Sequence, residues 1–463
     1  MHRFGSSHGL PLRAVLFTLL AFGACGHVSS DAGGDAGSKD RHALFALLDP
    51  DPAFQLGALE RLSREWEDNL TPALLEYISL SRNHVLQQRA LDLLETRTGR
   101  DHGFDLNAWF AWAWAQDFDL PVDYAEFKSR LYRRIDPRFA EYFSASRATA
   151  IRLDEIRWGG VLQDGIPPLR NPAMIEAVAA DYLDDDNVVF GIEINGDARA
   201  YPKRILAWHE MFVDTVGGMP VTGVYCTLCG SMILYESTAG GVRHELGTSG
   251  FLFRSNKLMY DQATQSLWNT MWGTPAVGPL VGQGIRLPRR SVVTTTWGEW
   301  RRRHPGTTVL SLATGHRRDY GEGVAYRDYF ATDELMFNSS QVDNRLANKA
   351  EVLGLLSDDG DGRPLAISAD YAKAHPLLHE RVGDRGVVVL TDTTGAMRAY
   401  ASQDVRFDRW DGDATLRDAR GRTWTLNEDR LVAEDGTTLA RLPSHSAFWF
   451  GWYGAYTSTR LLH

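Results

Sequence analysis

Residues 221–235 read VTGVYCTLCGSMILY, and the interpretation of the chain starts from this stretch. An apolar, β-branched run at 221–224 and a second apolar run at 232–235 flank a short turn, which predicts a hairpin. The turn contains Cys226 and Cys229. Two thiols at this spacing can close a disulfide, hold one soft metal ion, or do neither. The pattern therefore predicts the hairpin and leaves its chemistry open.

Short β-type runs separated by Gly and Asp surround this hairpin from about residue 154 onward. Residues 188–194 lead into Asn195-Gly196-Asp197, a tight-turn sequence, and the chain returns at 198–201. Polar and apolar residues alternate over 249–268, which suits either the lining of a cleft or a well-hydrogen-bonded hairpin. We expect a β-rich α+β domain over residues 154–463.

The layout around the hairpin recurs near the C-terminus. Residues 352–368 mirror 189–202, His379-Glu380 mirrors His209-Glu210, and 387–400 mirrors 221–235. In this alignment Thr391 and Thr394 occupy the positions equivalent to Cys226 and Cys229. The pattern indicates an internal duplication, with a first half at about 154–345 and a degenerate second half at about 346–463. A packing role would survive in both copies, so the functional site is expected in the first.

The segment 43–150 has a helical pattern, with apolar residues recurring every third or fourth position. Asp51-Pro52 predicts a helix start, and Gly99 predicts a helix end. Two similar units, 51–66 and 83–98, are typical of a HEAT-like helical array, whose concave surface could dock a protein partner. The aromatic run WFAWAW at 109–114 is interpreted as packing between this array and the next domain. The whole chain is thus expected to be an α+β multi-domain protein.

The first residues have the composition of a targeting segment. Arg3 and Arg13 precede an apolar run at 14–24 that is too short to span a bilayer. The run ends at Cys25 after small residues and resembles a bacterial lipoprotein signal, in which that cysteine is lipidated. A plain secretory signal is the alternative. The Gly/Ser/Asp/Ala-rich stretch 26–42 is predicted to be a flexible tether.

These features predict an extracytoplasmic protein, anchored to the membrane of the bacterial cell envelope through Cys25. The absence of Asp directly after Cys25 favours the periplasmic face of the outer membrane. The formal net charge of -10 argues against a nucleic-acid partner, which would require a basic face. The hydrophobic content of 44% is that of an ordinary globular protein.

Several short motifs together resemble the bacterial family catalogued as domain of unknown function 3179, over about residues 154–463. The motifs are Ile166-Pro167-Pro168, His209-Glu210, Tyr225 to Gly230, Thr248-Ser249-Gly250, Met259-Tyr260-Asp261, Ser266-Leu267-Trp268 and Phe448 to Trp452. Two positions depart from the family pattern: Thr227 replaces a proline between the cysteines, and Thr457-Ser458-Thr459 replaces a Pro-Asp-Thr-like ending. The resemblance implies membership and no defined activity.

A metal site is the first candidate chemistry. Cys226 and Cys229 can present two thiolates to one copper or zinc ion, with His209 as a third ligand. Glu210, Asp261 or Met259 would complete or support the coordination sphere. No second CxxC motif exists, so the remaining ligands would have to come from distant parts of the chain.

Thiol redox catalysis is the second candidate, and a static disulfide or buried thiol pair is the third. If the protein is an enzyme, we expect an oxidoreductase with Cys226, Cys229, His209, Glu210 and Asp261 as catalytic residues. The binding residues would be Ser249, Asn256 and Tyr260.

Two further alternatives stay open. A hydrolase triad of Ser249, His209 and Asp261 can be written down, but no nucleophile-elbow glycine pattern supports it. A non-enzymatic envelope scaffold with a structural disulfide is the alternative from a different class of function.

Overall fold

The structure is a computed structural model that describes residues 43–357 and 363–463. The protein is an α+β multi-domain protein, with a helical N-terminal region followed by a strand-rich body, as predicted. The expected signal peptide, the tether and Cys25 lie outside the described residues. In the described ranges, no helix combines the length and the apolar character needed to cross a membrane.

The helical region begins with a helical turn at 43–46. Its further helices are α1 Pro52–Arg64, α2 Thr71–Leu80, α3 His84–Thr98, α4 Leu106–Gln116 and α5 Tyr124–Arg133. The predicted boundaries are confirmed: the Asp51 side chain caps α1, the Asn83 side chain caps α3, and Gly99 ends α3 at a φ of 66°.

The helical region and the strand-rich body share one hydrophobic core. Trp109 and Phe110 are buried in it together with Phe251 of the following domain. The Trp114 indole N–H donates to the carbonyl of Asp154 at 3.1 Å. The aromatic run is therefore core between the two regions, as predicted.

In the described residues, the strand-rich body contains short strands joined by five α-helices and several irregular segments. Its first half contains β1 Ile156–Trp158, β2 Leu169–Arg170, β3 Met174–Glu176, β4 Val188–Ile194, β5 Asp197–Pro202, α6 Lys203–His209, β6 Met211–Val216, β7 Met219–Cys226, β8 Ser231–Glu236, β9 Thr238–Ala239, β10 Val242–Arg243, β11 Leu246–Phe253, β12 Asn256–Asp261, β13 Leu267–Asn269, β14 Thr274–Val277, β15 Arg289–Arg290, β16 Val293–Thr296, α7 Trp297–Arg303 and β17 Thr308–Leu310. The connection to the second half contains the four-residue helix α8 Arg327–Phe330.

The second half contains β18 Glu351–Leu355, β19 Leu365–Ser368, α9 Ala369–Ala374, β20 Leu377–Val382, β21 Arg385–Thr391, β22 Met397–Ala401, β23 Phe407–Trp410, β24 Thr415–Asp418, β25 Thr423–Leu426, β26 Arg430–Ala433, β27 Thr438–Ala440, β28 Ser444–Phe448, α10 Trp449–Ala455 and β29 Arg460–Leu462. Strands β23 to β27 form an antiparallel meander inserted between β22 and β28.

Two sheets of the first half have counterparts in the second. In the first half β16 pairs antiparallel with β4, and β17 pairs parallel with β5. In the second half β28 pairs antiparallel with β18, and β29 pairs parallel with β19. The hairpin strands β6, β7 and β8 likewise correspond to β20, β21 and β22.

Side chains repeat along with this topology. The Trp300 indole N–H donates to Thr307 Oγ1 at 2.9 Å, and that of Trp452 donates to Thr459 Oγ1 at 3.0 Å. Gly191 lies against the Trp300 ring in the same way as Gly354 lies against the ring of Trp452. Strand pairing and packing therefore both support an internal duplication.

The strand pairing changes one detail of the predicted repeat. Counting from the β6–β7 and β20–β21 turns, the counterpart of His209 is His375, which directly follows helix α9, and not His379, which lies within β20. Tyr225 pairs with Met232 and Thr391 with Met397, so the second loop is one residue shorter. Asp392, and not Thr391, therefore takes the position of Cys226.

Candidate functional site

Strands β7 and β8 place the two thiols at the tip of their hairpin. Cys226 is the last residue of β7 and pairs with Ser231, the first residue of β8. The Cys229 N–H donates to the carbonyl of Cys226 at 3.1 Å, which closes the turn. Gly230 completes it at a φ of 57°, a conformation that favours glycine. The local sequence thus holds both sulfurs on one short turn.

Both cysteines are free thiols and are almost completely buried, Cys226 with 2% and Cys229 with 0% of its surface exposed. Burial raises the pKa of Cys226. A hydrogen bond from the Cys229 thiol and backbone N–H groups of Lys257 and Cys229 outweigh that effect, so its pKa lies below the ordinary value. Burial and the hydrogen bond to Cys226 raise the pKa of Cys229 well above its ordinary value.

The two thiols therefore have different roles available to them. Cys226 is the sulfur that ionises first, and Cys229 remains a protonated donor beside it. In the neutral state the Cys229 thiol instead donates to the carbonyl of Ser255 at 3.2 Å. The Cys229 thiol can thus donate its hydrogen bond either to the carbonyl of Ser255 or to the Cys226 thiolate.

A buried ion pair lies beside the thiols. Lys257 Nζ is 3.0 Å from Glu210 Oε2, and these side chains are 5% and 10% exposed. Glu210 follows helix α6 at a φ of 56°, in the left-handed region. A non-glycine residue in this conformation is strained by roughly 1 kcal/mol or more, and such strain concentrates at functional sites. The carboxylate of Glu210 also raises the pKa of Cys226.

The hairpin and the neighbouring end of β12 contain buried polar atoms with no hydrogen-bond partner in the described protein. These atoms are Tyr225 Oη, Thr227 Oγ1, Ser231 Oγ, Asn256 Oδ1 and Nδ2, and Lys257 Nζ, whose contact with Glu210 lacks hydrogen-bond geometry. Most buried polar groups in folded proteins are hydrogen-bonded. Their concentration near the thiols is a feature expected of a site that binds something polar.

The thiols are covered by an irregular segment, residues 319–349, which we call the cover. The Tyr329 hydroxyl donates to the carbonyl of Leu228 at 2.8 Å. Ser255 Oγ donates to the carbonyl of Asn338 at 2.9 Å. Outside helix α8 the cover has no helix or strand, and long irregular segments of this kind often carry function.

Residues of the second half pack against the thiol turn. The backbone N–H of Phe448 donates to the carbonyl of Cys229 at 2.7 Å. A Cβ atom at Gly451 would lie 2.9 Å from Cys229 Cβ, and one at Gly230 would lie 2.8 Å from the ring of Phe448. The thiol turn thus lies at the junction of the two halves, with glycines at two positions where a side chain would collide with the other half.

His209 is buried next to the site, but both of its ring nitrogens are engaged elsewhere. Nδ1 lies 2.9 Å from the carbonyl of Pro167, so it must carry the proton. Nε2 lies 2.6 Å from the Tyr320 hydroxyl and accepts from it, and Tyr320 Oη in turn lies 2.6 Å from Thr314 Oγ1. Burial lowers the pKa of His209 to about 4. The imidazole is therefore neutral and has no free lone pair for a metal in this arrangement.

The other predicted residues lie along β11 and β12. Asn256 lies at the end of β12 that neighbours the thiol turn, whereas Asp261, Ser249 and Tyr260 do not converge on the thiols. Asp261 Oδ2 is 2.9 Å from His244 Nδ1 at the far end of β12, whereas Lys257 at its near end contacts Cys226. Ser249 Oγ donates to the carbonyl of Leu258 at 2.7 Å. Tyr260 donates to Asp164.

Ser249, His209 and Asp261 consequently do not form a hydrolase triad, because each has a different hydrogen-bond partner. The hydrogen-bonded hairpin is the interpretation of 249–268 that the structure supports. Among residues 43–357 and 363–463, no three His, Cys, Asp or Glu side chains lie together as a group able to hold a metal ion.

Sequence reasoning did not identify Lys257, Tyr329 or Phe448 as part of the site. Lys257 follows Asn256, one of the predicted binding residues, and a lysine inside an apolar strand is a detectable signal because it needs a buried counter-charge. Nothing in the local sequence of Tyr329 indicates its long-range contact with the carbonyl of Leu228.

A family model described as a protein of unknown function (DUF3179) matches residues 163–459. Neither a curated protein nor a solved structure matches the chain. The matched range contains every residue of the site described above.

Proposed function

The chain belongs to the DUF3179 family, whose function is unknown, so a function has to be argued from the residues of this chain. We propose that Cys226 and Cys229 form a dithiol–disulfide redox site. One observation carries this proposal. Two buried free thiols lie on one short turn, which the hydrogen bond from the Cys229 N–H to the carbonyl of Cys226 closes, and the pKa of Cys226 is lowered while that of Cys229 is raised. A nucleophilic thiolate beside a protonated resolving thiol is the arrangement that exchange with a disulfide requires.

The reaction would proceed in two exchange steps. The Cys226 thiolate attacks a substrate disulfide, its S–S bond breaks, and a mixed disulfide forms while one substrate thiolate leaves. Cys229 then loses its proton and attacks the sulfur of Cys226, which releases the second substrate thiolate. The protein pair is oxidised by two electrons, the substrate disulfide is reduced, and the two protons pass to the leaving thiolates.

Access to the buried sulfur would require movement of the cover. Its contacts at the thiol turn are few: the Tyr329 hydrogen bond to Leu228, aromatic packing, and the Ser255 contacts with Phe337 and Asn338. The Lys349 ammonium makes a cation–π contact with Tyr329, with Nζ 3.5 Å from the centroid of the ring.

The test uses the full chain with Cys25→Ser, in which Cys226 and Cys229 are the only thiols. The protein is equilibrated with a glutathione redox buffer, and free thiols are counted by mass after alkylation. We expect one two-electron transition to a disulfide. Cys229→Ser should trap a mixed disulfide with glutathione, whereas Cys226→Ser should not.

Thiols that stay reduced and unreactive in the native protein, yet react once it is unfolded, would contradict the redox proposal. That result would leave a buried thiol pair and favour the envelope-scaffold alternative. A disulfide that forms but is never reduced by the buffer would indicate a structural staple.

A soft metal ion is the second candidate, because two adjacent buried sulfurs with backbone N–H donors directed at one of them are a donor set for Cu⁺. Zinc would need further ligands to reach its usual four. Elemental analysis of the purified protein, with a copper(I) chelator as competitor, tests this. One equivalent of copper lost in Cys226→Ser would favour the metal site over redox cycling.

We also propose that the protein works outside the cytoplasm, held to the envelope membrane through Cys25. An oxidising compartment is where a dithiol–disulfide pair would meet disulfide substrates. Labelling with a radioactive fatty acid, compared between the natural chain and Cys25→Ser, tests the anchor. A protein that is unlabelled and recovered from the soluble fraction in both cases would contradict it.

A further inference from the structure

The two-residue turn between β11 and β12 lies between the thiols and the cover. Phe253 and Asn256 pair across this turn, so its two residues are Arg254 and Ser255. Their φ angles are 49° and 62°, both in the left-handed region. Hairpin turns with two such residues favour Asn-Gly, because most residues with a Cβ atom are strained there. The Arg254–Ser255 turn is therefore held in place by its contacts and not by its own backbone preference.

Ser255 contacts the resolving thiol through its backbone. Its carbonyl accepts the S–H of Cys229, with 3.2 Å between sulfur and oxygen. Ser255 is only 4% exposed, and no other described residue donates to this carbonyl. A buried carbonyl without a donor is unfavourable. The stability of the turn in this conformation therefore depends on the hydrogen atom of the Cys229 thiol.

Ser255 contacts the cover through its side chain. Its hydroxyl donates to the carbonyl of Asn338 at 2.9 Å and also contacts that of Phe337. Asn338 in turn bonds to the helical region, because its Nδ2 donates to the carbonyl of Asn107 in α4 at 2.6 Å. Ser255 thus connects the Cys229 thiol to the cover and, through Asn338, to the helical region.

We propose that the Arg254–Ser255 turn is a redox-linked latch, which holds the cover closed while Cys229 is a thiol and releases it when Cys226 and Cys229 form a disulfide. This inference rests on the redox site proposed above. On oxidation the two sulfurs bond to each other, and their two protons and two electrons pass to the substrate disulfide. Cys229 then has no hydrogen for the Ser255 carbonyl, so the turn loses a contact that offsets its backbone strain.

The latch gives the two redox states different accessibility. The reduced pair is shielded beneath a cover that opens rarely. The disulfide lies beneath a cover that opens more often, so a reducing thiol reaches it more easily. Ser255 is a positioning residue in this scheme, because it acts on access through the cover and forms no bond to the substrate.

The test is hydrogen–deuterium exchange of residues 336–341, measured by mass spectrometry on the full chain with Cys25→Ser. The protein is compared in its reduced form and after oxidation with oxidised glutathione. Losing a hydrogen bond of this kind shifts an opening equilibrium by roughly fivefold to tenfold, so these amides should exchange faster by that factor in the oxidised protein. Residues 415–426 of the β23–β27 meander are the internal control and should exchange equally in both forms.

Substitutions of the thiols test the hydrogen bond without a disulfide. Cys229→Ala removes the donor, so it should accelerate exchange of residues 336–341 about as much as oxidation does. Cys229→Ser keeps a donor and should exchange like the reduced protein. Cys226→Ala is the matched control, because it removes a sulfur of the same size and leaves the Ser255 bond in place, and it should also exchange like the reduced protein.

Substitutions on the other side of the turn test the link to the cover. In Ser255→Ala the cover loses its bond to the turn in both redox states, so the difference in exchange between them should disappear. Ser340→Ala removes another cover contact, the 2.7 Å bond to Glu155 Oε2, which does not pass through the turn. This control should accelerate exchange in both states and keep the difference between them.

Equal exchange in the two redox states would overturn the latch and leave the redox site standing. Equal rates in Cys229→Ala and Cys229→Ser would do the same, and so would equal rates in Cys229→Ala and Cys226→Ala, since the cause would then be lost volume. A pair of thiols that glutathione cannot oxidise in the native protein would overturn the redox site, and the latch with it.

Discussion

Breaking the buried Glu210–Lys257 ion pair should reveal how the thiol site is stabilised. In Lys257→Met, the Glu210 carboxylate stays buried without its partner at 3.0 Å. Removing one member of a buried pair costs roughly 3–5 kcal/mol, because the remaining charge is uncompensated. Glu210→Gln should cost a similar amount, since it leaves the ammonium of Lys257 unpaired.

The free energy of unfolding of the double variant Glu210→Gln/Lys257→Met is expected to fall by much less than the sum of the decreases in the two single variants. The coupling energy should be at least about 2 kcal/mol, because neither charge then remains unpaired. Together with the wild type, the two single variants and the double variant form a double-mutant cycle. Urea denaturation of the full chain measures the free energy of unfolding of all four proteins. The exposed pair Arg243–Glu245, at 2.9 Å with side chains 46% and 42% exposed, is the matched control and should couple by less than about 1 kcal/mol.

The same variants test the electrostatics of the nucleophile. The Glu210 carboxylate raises the pKa of Cys226, so Glu210→Gln should lower the pH at which Cys226 becomes reactive. The pH dependence of alkylation in the Cys25→Ser background measures this midpoint. Additive single variants, or a midpoint that rises in Glu210→Gln, would refute the assigned arrangement of the ion pair and the thiol.

Three further predictions follow from single contacts. Gly354→Ala places a Cβ 1.9 Å from Trp452, and Gly191→Ala places one 2.3 Å from Trp300; each should destabilise the protein by roughly 3 kcal/mol or more in urea denaturation. Gly57 lies in helix α1, and a Cβ atom added there would meet no atom within 4 Å, so Gly57→Ala should stabilise the protein by about 0.5–1 kcal/mol. Similar changes in stability for all three variants would contradict the close packing of Gly354 and Gly191 against the tryptophan rings. His209 has its pKa lowered from 6.5 to about 4, so its neutral form stabilises the fold above pH 6.5, and this contribution is lost as the pH falls toward 4. Stability measured from pH 7 to 4.5 should drop by roughly 2 kcal/mol more in the wild type than in His209→Gln, and identical pH profiles would argue against a buried neutral imidazole. Tyr329→Phe removes the hydrogen bond to Leu228 and should raise the alkylation rate of Cys226 several-fold without changing its pH midpoint, whereas an unchanged rate would mean that the cover does not limit access.

Local patterns in the sequence determined the elements of this protein. Asp51-Pro52, Asn83 and Gly99 set helix boundaries through caps and a left-handed residue that depend on adjacent residues alone. The turn Asn195-Gly196 and the thiol turn were predicted for the same reason. The α+β class and the family were also evident, because they depend on the order of elements and on short motifs.

Contacts between distant segments determined the site, and spacing along the chain does not encode them. The sequence predicts His209 as a third ligand beside the thiols and Asp261 as a supporting residue, yet Tyr320 hydrogen-bonds to the first and His244 to the second. The register of the repeat depended on strand pairing, which moved the counterpart of Cys226 to Asp392. Burial by the cover and the second half sets the pKa values of the two thiols, and that environment exists only when Tyr329 and Phe448 pack against the thiol turn from distant parts of the chain.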